Sequence, residues 1–245
     1  MRGQIRHLPN AITCANLFSG CIGIVFTFQD NLVFASYAIF LAAIFDFFDG
    51  FASRVLKAHS CIGKDLDSLA DMVSFGVLPS AIMYELLLQG PQINHVSEYL
   101  NYIAFLIPVF SALRLAKFNT DTRQAESFIG LPTPANAILI ASIPLILVQY
   151  DEIAKYVLNP YGLSIFIIVM CTLLVAEIPL MSLKFKNKDF NKNFYRYLLL
   201  LFSAILILFF KFAAVPVVIV MYITLSIIQL KFANDNFMSS SHKNG

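Results

Sequence analysis

The chain has 245 residues, of which 58% are apolar and only 13% charged, and its mean hydropathy is +0.74. Soluble globular domains are about half apolar and about a quarter charged, so the excess apolar surface here must face lipid. A net charge of +2 is too small to point to a nucleic-acid partner. The four cysteines form no CxxC pair, which argues against a zinc site or a disulfide framework and reads as small apolar packing.

In chain order, the opening MRGQIRHLPNAITCANLFSG sets basic residues ahead of an apolar stretch that runs to Phe28 without a cleavage site. It reads as a retained first helix. Apolar runs of the length that crosses a bilayer, about 17–25 residues, then recur. The predicted spans are 11–28, 32–54, 67–89, 101–117, 134–150, 161–183, 194–210 and 213–231. Their apolar residues run continuously instead of alternating, which excludes strands. The predicted fold is therefore all-α, a polytopic membrane bundle of eight helices. With both termini on the cytoplasmic side, every one of the 17 basic residues except Lys155 and Lys211 falls in an inside segment, as the positive-inside rule requires. The run KFKNKDFNKN at 184–193 reads as a cytoplasmic loop against anionic headgroups. The polar residues 233–245 read as a disordered tail.

Carboxylates at membrane depth are expensive and usually face a bundle interior where they carry function. Asp46 and Asp49 end the second predicted span, three residues apart and on one helix face. Asp67 and Asp71 open the third, four apart and again on one face. A short basic loop makes the two helices antiparallel neighbours, so four carboxylates can converge at the cytoplasmic surface. Such charges repel unless a cation neutralises them, and hard oxygen ligands in this number suit Mg²⁺ or Mn²⁺, two ions if one carboxylate bridges. Gly50 and Gly63 leave backbone room beside the acids, and Arg54, one turn past Asp49, is placed to meet a phosphate. Together they read as a diphosphate site.

Asp46, Asp49, Gly50, Arg54, Gly63, Asp67 and Asp71 stand at the spacing D-x2-D-G-x2-A-R-x8-G-x3-D-x3-D, with Ser53 in place of the alanine. This pattern resembles the signature of the CDP-alcohol phosphatidyltransferases. The segments LPNAITCANLFSG (8–20), GKDLDSLADMVSFGVLPS (63–80), LRLAKFN and FIGLPTPANA (113–137) are similar to the bacterial and archaeal members that use serine. The likeness covers about the first 185 residues, a six-helix core. Residues 186–232 add two further spans.

The resemblance implies that the chain transfers a phosphatidyl group from CDP-diacylglycerol to L-serine, giving phosphatidylserine and CMP in the inner cell membrane, as a homodimer with its site toward the cytoplasm. It implies Asp46, Asp49 and Asp67 as metal ligands and Asp71 as a shared ligand or the general base. Gly50, Arg54 and Gly63 would cradle the cytidine diphosphate, with Thr13 and Asn16 near the start of the first helix as further nucleotide contacts. Arg114 and Lys117, ending the fourth span, are candidates for the serine carboxylate or a phosphate, and Asn119 is a neighbouring candidate. His59, Asp65 and Glu177 read as peripheral, the first in a solvated loop and the last inside the sixth span. Glycerol 3-phosphate or an inositol phosphate are alternative acceptors. From another class, a divalent-cation transporter also puts carboxylates inside a helix bundle.

Overall fold

The computed structural model describes residues 7–57, 62–91, 99–121, 128–181 and 190–241. Helices make up most of them: α1 Leu8–Phe28, α2 Leu32–Leu56, α3 Gly63–Gln89, α4 Asn101–Thr120, α5 Thr133–Gln149, the single turn α6 Ala154–Val157, α7 Pro160–Val175, α8 Phe190–Phe210 and α9 Ala214–Ser241. The chain is an all-α, multi-pass membrane bundle.

Several helix starts and stops have a local cause. Pro9 stands in the first turn of α1, where its missing N–H leaves no helical bond unmade. Asn31 caps α2 by accepting the Phe34 N–H at 3.2 Å, and Asn159 caps α7 by accepting the N–H groups of Tyr161 and Gly162. Pro144 lies within α5, and beyond Gln149 the chain bends by 113° into Asp151–Val157. Lys211 adopts a left-handed conformation at φ 50°, which ends α8 and turns the chain into α9.

By length and composition, five described helical stretches can cross a membrane, or six if the bent pair counts as one span, against the eight expected. Part of the difference is α7, which has 16 residues and stops at Val175 instead of running to 183. Beyond it the chain is extended, and Pro179–Leu180 (β2) pairs antiparallel with Phe128–Ile129 (β1). The other part is the apolar stretch Asn193–Leu230, counted once. At ~1.5 Å per residue it exceeds a ~30 Å hydrocarbon core, and α8 and α9 lie side by side across the Lys211 turn. The helix α9 also continues to Ser241, through residues expected to be a disordered tail. Residues 233–241 contain neither proline nor glycine to stop it.

The core is narrow, because lipid and not water surrounds the bundle. Ala35, Ala38, Ile39 and Ala42 of α2 are buried against Phe75, Leu78, Ile82 and Leu86 of α3 and Ala137, Ile140 and Ala141 of α5. Small residues let the backbones approach, and close packing replaces the hydrophobic drive that lipid cannot supply. Large apolar residues instead face outward, with Phe28 80% exposed and Leu208 76% exposed.

Two glycines fix α1 against its neighbours. A Cβ at Gly20 would collide with Ser74, and one at Gly23 with Leu78 and Ala38. The approach is secured by Ser74, whose hydroxyl donates to the Asn16 carbonyl at 3.0 Å, and by Ser19, which donates to the Ala38 carbonyl at 2.9 Å. Ser74 belongs to a π-helical turn, Met72–Val77, that begins directly after Asp71. Such widened turns are often found at functional sites, where they re-aim a side chain.

The loop before α5 depends on one backbone conformation. Gly130 has φ +76°, and a Cβ there would meet the carbonyl oxygens of Leu174 and Ala176 at 2.7 and 2.9 Å. Gly130→Ala is expected to destabilise the protein by about 2 kcal/mol. A lowered melting temperature in detergent would show it, and an unchanged one would contradict the strain.

Candidate active site

The four aspartates meet at one end of the bundle, where the C-terminal part of α2 faces the N-terminal part of α3. One carboxylate oxygen each from Asp46, Asp49 and Asp67 lies within 4.8 Å of the other two. Asp49 is buried, while Asp46 and Asp67 are partly so. Asp67 Oδ1 is fully buried and has no hydrogen-bond partner among the described residues. Three converging carboxylates with an orphaned buried oxygen fit a hard divalent cation, which would both cancel their repulsion and satisfy that oxygen.

Asp71 stands apart from this trio. It is buried, and its Oδ1 accepts a hydrogen bond from Asn16 Nδ2 at 3.2 Å. The hydroxyl of Thr13 lies 2.7 Å from Asp49 Oδ2 and 3.0 Å from the Pro9 carbonyl, so its one proton goes to one of them. Both α1 residues thus orient acids directly. The Gly20 and Gly23 contacts make this possible, because they bring α1 close enough for short side chains to reach.

The remaining predicted residues divide. A Cβ at Gly50 would meet nothing within 4 Å, so open space lies beside the acids. Gly63 is the first residue of α3, and Arg54 is exposed in the last turn of α2. Neither lines the cavity at Asp46, Asp67 and Asp71. Asp65 is exposed and outside the trio. Asn119 is occupied structurally: its Nδ2 donates to Ser68 Oγ at 2.7 Å, and its carbonyl accepts from Lys64 Nζ at 2.6 Å, tying α4 to α3. His59 lies outside the described residues. Glu177 is not inside a helix as expected but exposed in the extended segment after α7.

Two cavities meet at Arg114. One, of about 250 Å³, is lined by Asp46, Asp67, Asp71, Arg114, Phe118 and the α5 start at Thr133 and Pro134. The second, of about 200 Å³, is lined by Arg114, Lys117, Thr120, Asp121, Ile129 and the segment from Leu174 to Glu177. Arg114 is 4% exposed. Its Nε donates to the Leu131 carbonyl at 3.3 Å, and its guanidinium lies 5.5 Å from the Phe118 ring centre. The second cavity therefore offers two cations and two carboxylates. Sequence reasoning missed Thr133, Pro134 and Phe118 as lining residues, although they sit in the LPTPANA and LRLAKFN segments already singled out. It also missed Asp121, which carries no motif.

The fold and the site together are those of a multi-pass membrane protein with a cluster of acids at one end of its helix bundle. The chain matches the CDP-alcohol phosphatidyltransferase family over residues 6–178 and belongs to that family. It is 31% identical over 202 residues to the CDP-diacylglycerol–serine O-phosphatidyltransferase of Helicobacter pylori (strain J99), which covers 81% of each chain. It is 32% identical over 174 residues to the protein of that name from Bacillus subtilis, covering 71% of this chain and 89% of the relative. A third relative so named, from Mycobacterium leprae, is 32% identical over 184 residues. That alignment spans 72% of this chain but only 59% of the mycobacterial protein's length.

Proposed function

We propose that this chain transfers the phosphatidyl group of CDP-diacylglycerol to L-serine, releasing CMP. The observation that carries the reading is the trio Asp46, Asp49 and Asp67, which opens into the cavity shared by Asp71 and Arg114. The serine-named relatives support the choice of acceptor.

Asp46, Asp49 and Asp67 would hold Mg²⁺ or Mn²⁺, two ions if a carboxylate bridges. Bound there, the metal supplies neutralisation of the diphosphate charge. Gly50 leaves room for that diphosphate, while Arg54 and Gly63 flank its entry and Thr13 holds Asp49 in place. Asp71, oriented by Asn16, takes the proton of the serine hydroxyl. The serine oxygen bonds to the lipid-side phosphorus as the bond from that phosphorus to the bridging oxygen breaks, and CMP leaves with the electron pair. Positioning and charge neutralisation dominate such transfers.

Serine reaches the site as a zwitterion, and the second cavity is built for one. Arg114 and Lys117 take its carboxylate, and Glu177 with Asp121 its ammonium group. Glu177→Gln is expected to narrow the preference for L-serine over D-glycerate, which lacks the ammonium group, by about tenfold. An unchanged ratio in competition assays would remove Glu177 from this role.

Arg54, Lys57, Lys64, Arg114 and Lys117 lie toward the same end as the acids, which by the positive-inside rule is the cytoplasmic face of the cell membrane. Residues 1–185 form the catalytic core, residues 186–232 an appended hairpin, and homodimer assembly follows the family resemblance.

The test is CMP release by purified protein with CDP-diacylglycerol, comparing L-serine, glycerol 3-phosphate and inositol phosphate, each with Mn²⁺, with Mg²⁺ and with a chelator. Release that needs both serine and metal, and that Asp71→Asn abolishes, supports the reading. Release with another acceptor overturns the serine assignment.

A further inference from the structure

The hairpin α8–α9 begins beyond the residues that match the family, yet it is tied to the pocket at Arg114 by a continuous series of hydrogen bonds. Tyr222 and Ser226 lie one turn apart on one face of α9, and both are buried. The Tyr222 hydroxyl donates to the Met181 carbonyl at 3.0 Å, and Ser226 Oγ accepts the Met181 N–H at 3.1 Å. Ser226 in turn donates to the Tyr222 carbonyl at 2.7 Å, which fixes its acceptor lone pair toward Met181. Both backbone groups of a single residue are therefore held by α9.

Met181 directly follows β2, and β2 pairs with β1. The N–H of Gly130 donates to the Ile178 carbonyl and that of Leu131 to the Leu173 carbonyl, each at 2.9 Å. The carbonyl of Leu131 is the acceptor for Arg114 Nε. Ile129 and the segment from Leu174 to Glu177, which this strap carries, form one wall of the second cavity.

We infer that Tyr222 and Ser226 are positioning residues for the acceptor pocket, with the hairpin clamping the β1–β2 strap so that Arg114 and the Glu177 segment keep the geometry that receives serine. This rests on the serine reading above. It gives the appended hairpin a defined task, and it separates two functions in space. Helices α1–α3 hold the acids and the nucleotide side, while α9 sets the acceptor side. Loosening the clamp should weaken capture of the acceptor without disturbing the acids.

The experiment compares Tyr222→Phe and Ser226→Ala with the unaltered enzyme, since Tyr222→Phe keeps the buried ring and removes only the hydroxyl. The KM for serine is expected to rise about tenfold in each variant, with the KM for CDP-diacylglycerol and kcat within about twofold, as loss of one buried hydrogen bond implies. Amide exchange in peptides covering 128–131 and 178–181 should quicken, while 46–71 stays unchanged. An unchanged serine KM, equal rises in both KM values, or a fall in kcat alone would overturn the inference while leaving the serine reading intact. No turnover of serine by the unaltered enzyme would sink the reading and this inference with it. The exchange data report on the clamp in either case, and unchanged exchange counts against it.

Discussion

Asp67→Asn is expected to reduce serine-dependent CMP release by about 10³-fold, the scale at which loss of one preorganised electrostatic group is felt in an active site. The substitution preserves size and helix geometry, so the change isolates the charge. In the structure Asp67 offers an oxygen within 4.8 Å of those of Asp46 and Asp49, and its other role, if it had one, should leave a hydrogen bond at Oδ1. No partner for that atom is found among the described residues. A second measurement separates metal binding from general damage. A ligand that binds only the folded state raises the melting temperature, so Mn²⁺ should stabilise the unaltered protein and stabilise Asp67→Asn much less. Without metal the order should reverse, because the variant carries one fewer repelling carboxylate. Activity within tenfold of the unaltered protein, or an equal Mn²⁺ response, would remove Asp67 from the metal site.

Gly20→Val should produce the second large effect, this time through packing. A Cβ at Gly20 already collides with Ser74, and valine adds two methyl groups in the same place. Overpacking of this kind costs about 1–3 kcal/mol where neighbours can shift, and more where they cannot. Here the obstacle includes the Ser74 backbone, whose Cα would lie 3.0 Å from the new Cβ. Relief must come from moving α1 away from α3, which breaks the Ser74-to-Asn16 bond and draws Asn16 from Asp71. The expected result is a melting temperature lower by several degrees together with a loss of kcat larger than instability alone explains. Gly20→Ala, which adds only the Cβ, should fall between. Full activity in Gly20→Val would show that Asn16 does not orient Asp71.

The acid constellation was legible in the sequence because its spacing is local. Residues three or four apart share a helix face, and a short loop forces antiparallel neighbours, so Asp46, Asp49, Asp67 and Asp71 had to approach one another. The apolar runs likewise announced α1 to α5 to within four residues at each end, since hydropathy over about 20 residues depends on nothing distant. Roles that depend on long-range approach were harder to see. Thr13 and Asn16 were named as nucleotide contacts; the structure adds that Asn16 donates to Asp71 and that the Thr13 hydroxyl lies 2.7 Å from Asp49. That contact is set by Gly20 and Gly23 meeting residues more than fifty and about fifteen positions away in the chain, respectively Ser74 and Ala38.

Composition and spacing, then, determined the membrane character, the helical class, the pairing of the four acids and the family signature, because each follows from residues close together along the chain. Tertiary structure decided which acid stands apart from the trio, that α7 ends at Val175 to free a strap, and that Arg114 divides two cavities. It also decided that Tyr222, in a helix whose sequence says only that it is apolar, grips the backbone of Met181. These depend on the energies of contacts between distant segments, which no local pattern of residues encodes.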